Sequence, residues 1–272
     1  MGFIEKLNVR IKAVNSLLCV GLDTDINKIP EHIRSEDFAK FKFNKIVIDA
    51  THDLVCAYKP QLAFYSADGT EKELELTIGY IIRKYPEIAI ILDAKKNDIG
   101  NTAKMYAQEA FERYRADAVT VNPYMGGDTL KPFTDYKDKG VIILCRTSNP
   151  GSGDIQGIDS NGTPVYKIVA KKAVTEWNEN NNILLVVGAT YPKELAEVRA
   201  IVGDNTPFLV PGIGAQGGDV EAVVTNGKNS EGTGMVINSS RGIIYAGGNK
   251  NNFAELIRQA ATDTRDEINL YR

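Results

Sequence analysis

The sequence predicts an α/β protein with a single (β/α)8 barrel domain over residues 1–272, on three observations. Eight short apolar runs alternate with stretches of helical periodicity, which implies parallel strands joined by helical crossovers. No composition break, internal repeat or low-complexity tract divides the chain. A length of 272 residues is also close to the roughly 250 that one such barrel takes. An open doubly wound sheet is the alternative. No Gly-x-Gly-x-x-Gly follows the first strand, which counts against a dinucleotide-binding version of it.

Residues 3–14 have the spacing of a short amphipathic helix, which feeds the first strand, Ser16-Leu-Leu-Cys-Val-Gly-Leu-Asp23. Residues 35–53 open on a cap-like Ser35 and continue at helical spacing through Phe38, Phe41, Phe43 and Ile46. Val55 to Pro60 is the second strand, closed by a proline that cannot donate to a sheet interior. A helix over about 70–84 ends before Pro86 and leads into the third strand, Ile88-Ala-Ile-Ile-Leu-Asp93. Strands four and five are Ala118–Asn122 and Gly140–Thr147, and a helix near 163–179 precedes the sixth, Ile183–Ala189. Pro207–Gly212 and Gly234–Ser239 complete the eight, and a helix from about 252 ends the series.

Composition narrows the function. A net charge of −3, without a Lys/Arg cluster, gives no electrostatic footprint for nucleic acid. Cys19, Cys56 and Cys145 lie in apolar runs without metal-ligand spacing, and an odd number of such thiols points to core packing in a reducing compartment. The first residues lack the apolar core of a signal peptide, and no run reaches the roughly 18 residues of a membrane span. The expectation is a cytoplasmic chain without membrane contact.

Barrels of this type carry their chemistry at the C-terminal ends of the strands. The stretch Ile88 to Thr102 puts charge there: Asp93 ends an apolar run, with Lys95 and Asp98 just beyond. Alternation along a strand turns Asp93 and Lys95 to the same side. Buried charge is costly unless paired, so the group is either a structural ion pair or the working part of a site. Asp23, Lys59, Asn122, Thr147 and Ser148 reach the same end of other strands. Each has an ordinary reading alone, as a cap, a snorkelling lysine or a turn residue. Their shared position is harder to explain that way.

The last two loops suggest an anion. Gly217 and Gly218 precede a helix whose N-terminus favours negative charge, and Arg241 follows strand eight. Phosphate sites in these barrels are commonly built from those two loops, so a phosphorylated small molecule is expected. Residues 149–163 are rich in turn formers, and serve as a mobile lid or a plain surface loop. His32 and His52 fall away from the strand ends, and Lys59 and Lys95 crowd Asp93, which disfavours a divalent cation. A site with no metal and no cofactor must work by fixed charge and proton transfer.

Asp93-x-Lys95-x-x-Asp98-Ile99, continued by Gly100-Asn-Thr102, resembles the signature of the orotidine 5'-phosphate decarboxylase family, in its longer-chain branch. The resemblance extends through Val20-Gly-Leu-Asp23, Ala57-Tyr-Lys-Pro60, Val121-Asn-Pro-Tyr-Met-Gly126, Arg146-Thr-Ser-Asn-Pro-Gly151, Val187-Gly-Ala189 and Pro211-Gly-Ile-Gly-Ala-Gln216. It implies cofactor-free decarboxylation of orotidine 5'-phosphate (OMP) to UMP, in pyrimidine biosynthesis. Lys59, Asp93, Lys95 and Asp98 would form an alternating charge network, with Lys95 as proton donor to C6. The family is homodimeric, and Asp98 and Thr102 would reach into the neighbouring subunit's site. Asp23 would bind a ribose hydroxyl, Ser148 the pyrimidine, and Gln216, Arg241 and the Ser240 backbone the phosphate, with Pro211 also against the substrate. Asn122 matches an asparagine near the ring. Two other readings are a metal-dependent sugar-phosphate decarboxylase or synthase, which would carry an acidic ligand in place of Lys59, and a non-catalytic nucleotide-binding protein.

Overall fold

The eight apolar runs pair in parallel and close on themselves. The computed structural model describes residues 1–213 and 218–272. The barrel strands are β1 (Leu18–Leu22), β2 (Ala57–Pro60), β3 (Ala89–Lys96), β4 (Ala118–Val121), β5 (Gly140–Arg146), β6 (Ile183–Val187), β7 (Phe208–Pro211) and β8 (Met235–Ser239). Their order around the ring is β1-β8-β7-β6-β5-β4-β3-β2, and Leu18 opposite Ile237 closes it. Every residue of β1, β2, β4, β6 and β8 is buried, as expected where helices cover the outside and side chains fill the inside. The closed barrel replaces the open-sheet alternative.

Nine helices of eight or more residues accompany the strands among the described residues: α1 (Phe3–Val14), α2 (Ala39–Thr51), α3 (Glu71–Lys84), α4 (Gly100–Gln108), α5 (Gly127–Thr134), α6 (Val165–Thr175), α7 (Pro192–Val202), α8 (Val220–Gly227) and α9 (Phe253–Leu270). Helix α1 stands outside the alternation and caps the N-terminal end of the barrel. Lys6 Nζ reaches Asp117 at 2.8 Å, just before β4, and Phe3 packs on the first residue of β5. That residue is Gly140 because a Cβ there would lie 2.3 Å from the Phe3 ring.

Two boundaries differ from the sequence reading. Helix α2 starts at Ala39 rather than Ser35, because Phe38 adopts a left-handed φ of 56° and breaks the run. Ser35 instead ends a separate turn, Glu31–Arg34. Helix α6 starts at Val165, since Thr163–Pro164 pairs antiparallel with Asp159–Ser160 in a small hairpin. The 149–163 segment therefore carries structure of its own, including helical turns at Pro150–Ser152 and Gly153–Gln156.

All three cysteines are free and buried. Burial pushes the Cys56 and Cys145 thiols up to about 12, and Cys19 well above its ordinary value. Only a thiolate reacts readily, so a thiol-exchange reagent at pH 8 should label none of the three in the folded protein and all of them in denaturant. Rapid labelling of the native protein would contradict this packing. No helix among the described residues is long and apolar enough to cross a membrane.

Candidate active site

A cavity of about 510 Å³ opens at the C-terminal mouth of the barrel. Of the residues singled out from sequence, Asp23, Lys59, Asp93, Lys95, Thr147, Ser148, Pro211, Ser240 and Arg241 line it. Leu144, Val186 and Ile213 give it an apolar flank.

Its centre is Asp93, whose side chain is only 8% exposed. Asp93 Oδ2 accepts from Lys59 Nζ at 2.8 Å, and Oδ1 accepts from Lys95 Nζ at 2.5 Å. Lys59 is equally deep, at 4% exposed, and its Nζ stands 3.7 Å from Asp23 Oδ1. Burial alone would push Asp93 up, but the two ammonium groups outweigh it and hold the carboxyl well below the usual carboxylate range. Burial would likewise lower Lys59, and Asp93 with Asp23 reverses that, raising it above an ordinary lysine. Both groups are therefore charged at neutral pH. Asp23 Oδ1 is buried without a hydrogen-bond partner, which leaves an acceptor beside the cavity for a ligand hydroxyl.

Regular alternation is not what turns Lys95 into the mouth. β3 pairs with β4 at Leu92↔Val119 and resumes at Lys96↔Val121, so the ladder is irregular between them. Lys95 has a left-handed φ of 50°, unusual for a residue with a side chain. Sequence reasoning found the residue and missed the bulge. It also missed Thr120, which is wholly buried. Its hydroxyl donates to Asp93 Oδ1 at 2.8 Å and accepts from the backbone N–H groups of Ala94 and Lys95, each at 3.0 Å. The available signal was a single hydroxyl in the otherwise apolar run Ala118–Val121.

The segment after β5 folds against the mouth. Arg146 is buried, donates to Ser152 Oγ at 2.5 Å, and stacks 3.8 Å from the centre of the Tyr191 ring. Gln156 turns back to Thr147, accepting from its N–H at 2.8 Å and donating to its hydroxyl at 2.9 Å. This brings Gln156 and Asn149 into the lining, neither of which the sequence reading assigned. Ser148 packs on Gly188, where a Cβ would lie 2.7 Å from the Ser148 nitrogen. On the opposite side Ser240 donates to the Gly21 carbonyl at 3.0 Å, and a Cβ on Gly21 would lie 2.8 Å from that of Ser240. Asn238 and Gln61 also line the cavity.

Three predicted residues lie outside the cavity of their own chain. Asp98 accepts from the Ile99 N–H at 2.7 Å at the start of α4, and Thr102 is exposed on the first turn of that helix. Asn122 is exposed, and its Oδ1 accepts from the Tyr124 N–H at 3.1 Å, so it serves the turn around Pro123. Gln216 and Gly217 lie outside the described residues. Among the described residues no group of three or more His, Cys, Asp or Glu side chains is placed to hold a metal ion. The arrangement fixes two cations and a carboxylate in a half-closed pocket, suited to stabilising a developing anion and delivering a proton.

Residues 16–256 match the family model described as "Orotidine 5'-phosphate decarboxylase / HUMPS family". Orotidine 5'-phosphate decarboxylase of Dechloromonas aromatica (strain RCB) is 56% identical over 272 residues, covering 100% of both chains. Among solved structures, OMP decarboxylase of Leishmania donovani aligns with 100% of this chain and 98% of its own, at 40% identity and a TM-score of 0.85. UMP synthase of Leishmania donovani aligns at 42% identity and a TM-score of 0.88, with 100% of this chain covering 56% of that longer one. By its sequence, its barrel and its match to full-length relatives, this chain belongs to the orotidine 5'-phosphate decarboxylase / HUMPS family.

Proposed function

We propose that the chain decarboxylates OMP to UMP without a metal or cofactor, as a cytoplasmic homodimer with shared active sites. The observation that carries this reading is the buried Asp93 carboxylate, gripped by Lys59 and Lys95 inside the barrel mouth. Loss of CO2 from C6 of orotate leaves an electron pair on a carbon with no carbonyl placed to delocalise it. Stabilisation must then come from charge already in position. The Lys95 ammonium does this and donates its proton to C6 as the C6–carboxylate bond breaks; CO2 departs, and Lys95 remains as a neutral amine that water reprotonates. Asp93, against the departing carboxylate, holds Lys95 in place.

The remaining roles follow the family resemblance, with the cavity lining in support for Asp23, Lys59, Ser148, Pro211, Ser240 and Arg241. Arg241, the Ser240 backbone and Gln216 take the phosphate, and Asp23 with Lys59 takes a ribose hydroxyl. Ser148 bonds the pyrimidine, whose faces meet Leu144, Val186 and Pro211. For Asn122 a place near the ring rests on the family resemblance alone, since its side chain is exposed outside the cavity. Phosphate binding far from C6 supplies energy to fold the β5 segment over the ring, so substrates lacking phosphate should lose turnover as well as affinity. Asp98 and Thr102 serve the partner's site. The exposed Ile99, Met105 and Tyr124 around them, 63%, 59% and 82% accessible, support a partner on that face.

The direct test follows UMP formation from OMP with and without EDTA. The expected result is equal activity in both, and an absolute metal requirement would favour a sugar-phosphate enzyme instead.

A further inference from the structure

Between the paired positions Leu92↔Val119 and Lys96↔Val121, three residues of β3 (Asp93, Ala94, Lys95) stand against a single residue of β4, Thr120. The skipped ladder leaves Lys95 at φ 50°, and the N–H groups of Ala94 and Lys95 both donate to the Thr120 hydroxyl. A hydroxyl has one proton and two lone pairs. Both lone pairs are taken by N–H donors, so the proton has one destination, Asp93 Oδ1. That oxygen also receives Lys95 Nζ. One side chain thus holds the strained backbone of the ammonium-bearing residue and the carboxylate that aims the ammonium.

We propose that Thr120 is a positioning residue for decarboxylation: its hydroxyl fixes Asp93 and the bulge at Lys95 so that the ammonium is held at the reacting carbon. The inference rests on the decarboxylase reading. Thr120 need not touch substrate, since it acts through Asp93 and Lys95. A threonine serving only the fold would bond to backbone alone, whereas this one spends its only proton on the site's central anion. Misplacing a catalytic group by about 1 Å costs about 100-fold in rate, so the hydroxyl's loss should appear in kcat rather than in nucleotide affinity.

The test compares Thr120→Val, which keeps the shape and removes the hydroxyl, with Thr120→Ser, which keeps the hydroxyl. Three quantities are read: kcat with OMP, Kd for UMP, and exchange of the C6 hydrogen of UMP for deuterium in D2O. In the exchange the Lys95 amine takes the C6 proton and returns a deuteron, so it reports proton transfer without the carboxylate. Thr120→Val should lower kcat about 10²–10³-fold and slow exchange in step, with UMP affinity held within about threefold. Thr120→Ser should recover kcat to within about tenfold of the unmodified protein. If Thr120→Val does not fold, Thr120→Cys, close in size and a weak donor, takes its place in the comparison. The proposal is overturned if kcat of the hydroxyl-free variant stays within about threefold, if kcat and UMP binding fall together, or if serine does no better than valine or cysteine. An unmodified protein that forms no UMP overturns the decarboxylase reading, and this inference with it; an active one makes the variant results bear on Thr120 alone.

Discussion

Replacing Lys95 with alanine should lower kcat for OMP by at least about 10⁴-fold while UMP still binds, because one group supplies two effects. General-acid catalysis contributes about 10²–10⁴ and a fixed charge at a developing anion about 10²–10³, so their joint loss exceeds either. Folding should survive. Lys95 is 43% exposed, and without it Asp93 keeps Lys59 at 2.8 Å and the Thr120 hydroxyl at 2.8 Å. Lys59 makes the opposite case. At 4% exposed it is the buried partner of a buried carboxylate, and its removal leaves that charge poorly compensated, a loss of about 3–5 kcal/mol. A Lys59→Ala protein should therefore show a lower denaturant midpoint as well as lower activity, which mixes stability with chemistry. Lys95→Ala separates them. Near-normal turnover in that variant, with the fold intact by circular dichroism, would remove Lys95 as proton donor. Loss of UMP binding alongside turnover would point instead to a role in holding the nucleotide.

The barrel was legible because a strand covered by helices must be apolar along its length, and eight such runs stood out. The polar residues that end those runs were legible for the same reason: Asp23, Lys59, Asp93 and Ser148 break apolar stretches where a barrel keeps its chemistry. Lys95 was reached by a partly wrong route, since period-2 alternation does not describe a strand that passes through a left-handed residue. Thr120 escaped because a threonine inside a strand is what β-propensity favours, and a hydroxyl serving the backbone looks the same in sequence as one serving a carboxylate. Asn122 shows the other limit: it is a polar strand end whose Oδ1 accepts from the Tyr124 N–H, a turn bond that a strand-end pattern does not foresee. Gln156 was out of reach because its place in the lining depends on a turn that returns it to Thr147, a long-range fact of the loop rather than of any local pattern.

Mixing Lys95→Ala protein with Asp98→Ala protein, each inactive alone, should restore about a quarter of normal activity once subunits exchange. Random pairing makes half the dimers mixed. In a mixed dimer one site keeps its own Lys95 and receives an intact Asp98 from the partner, and the other site lacks both. Recovery therefore measures whether Asp98 works in its own chain or across the interface. The geometry supports the second option: Asp98 lies just before α4, outside the cavity that Asp93 and Lys95 line, and its Oδ1 accepts from the N–H of the next residue, Ile99. Thr102 is one turn further along the same helix, and Thr102→Ala should complement Lys95→Ala in the same way. A carboxylate brought from the partner would extend the row Lys59–Asp93–Lys95 by one alternating charge, on the side where Lys95 is open to solvent. It would also tie activity to dimerisation, so dilution below the dimer dissociation constant should abolish turnover without unfolding the barrel. No recovery in the mixture, with exchange verified by mass-tagged subunits, would mean that each barrel completes its own site.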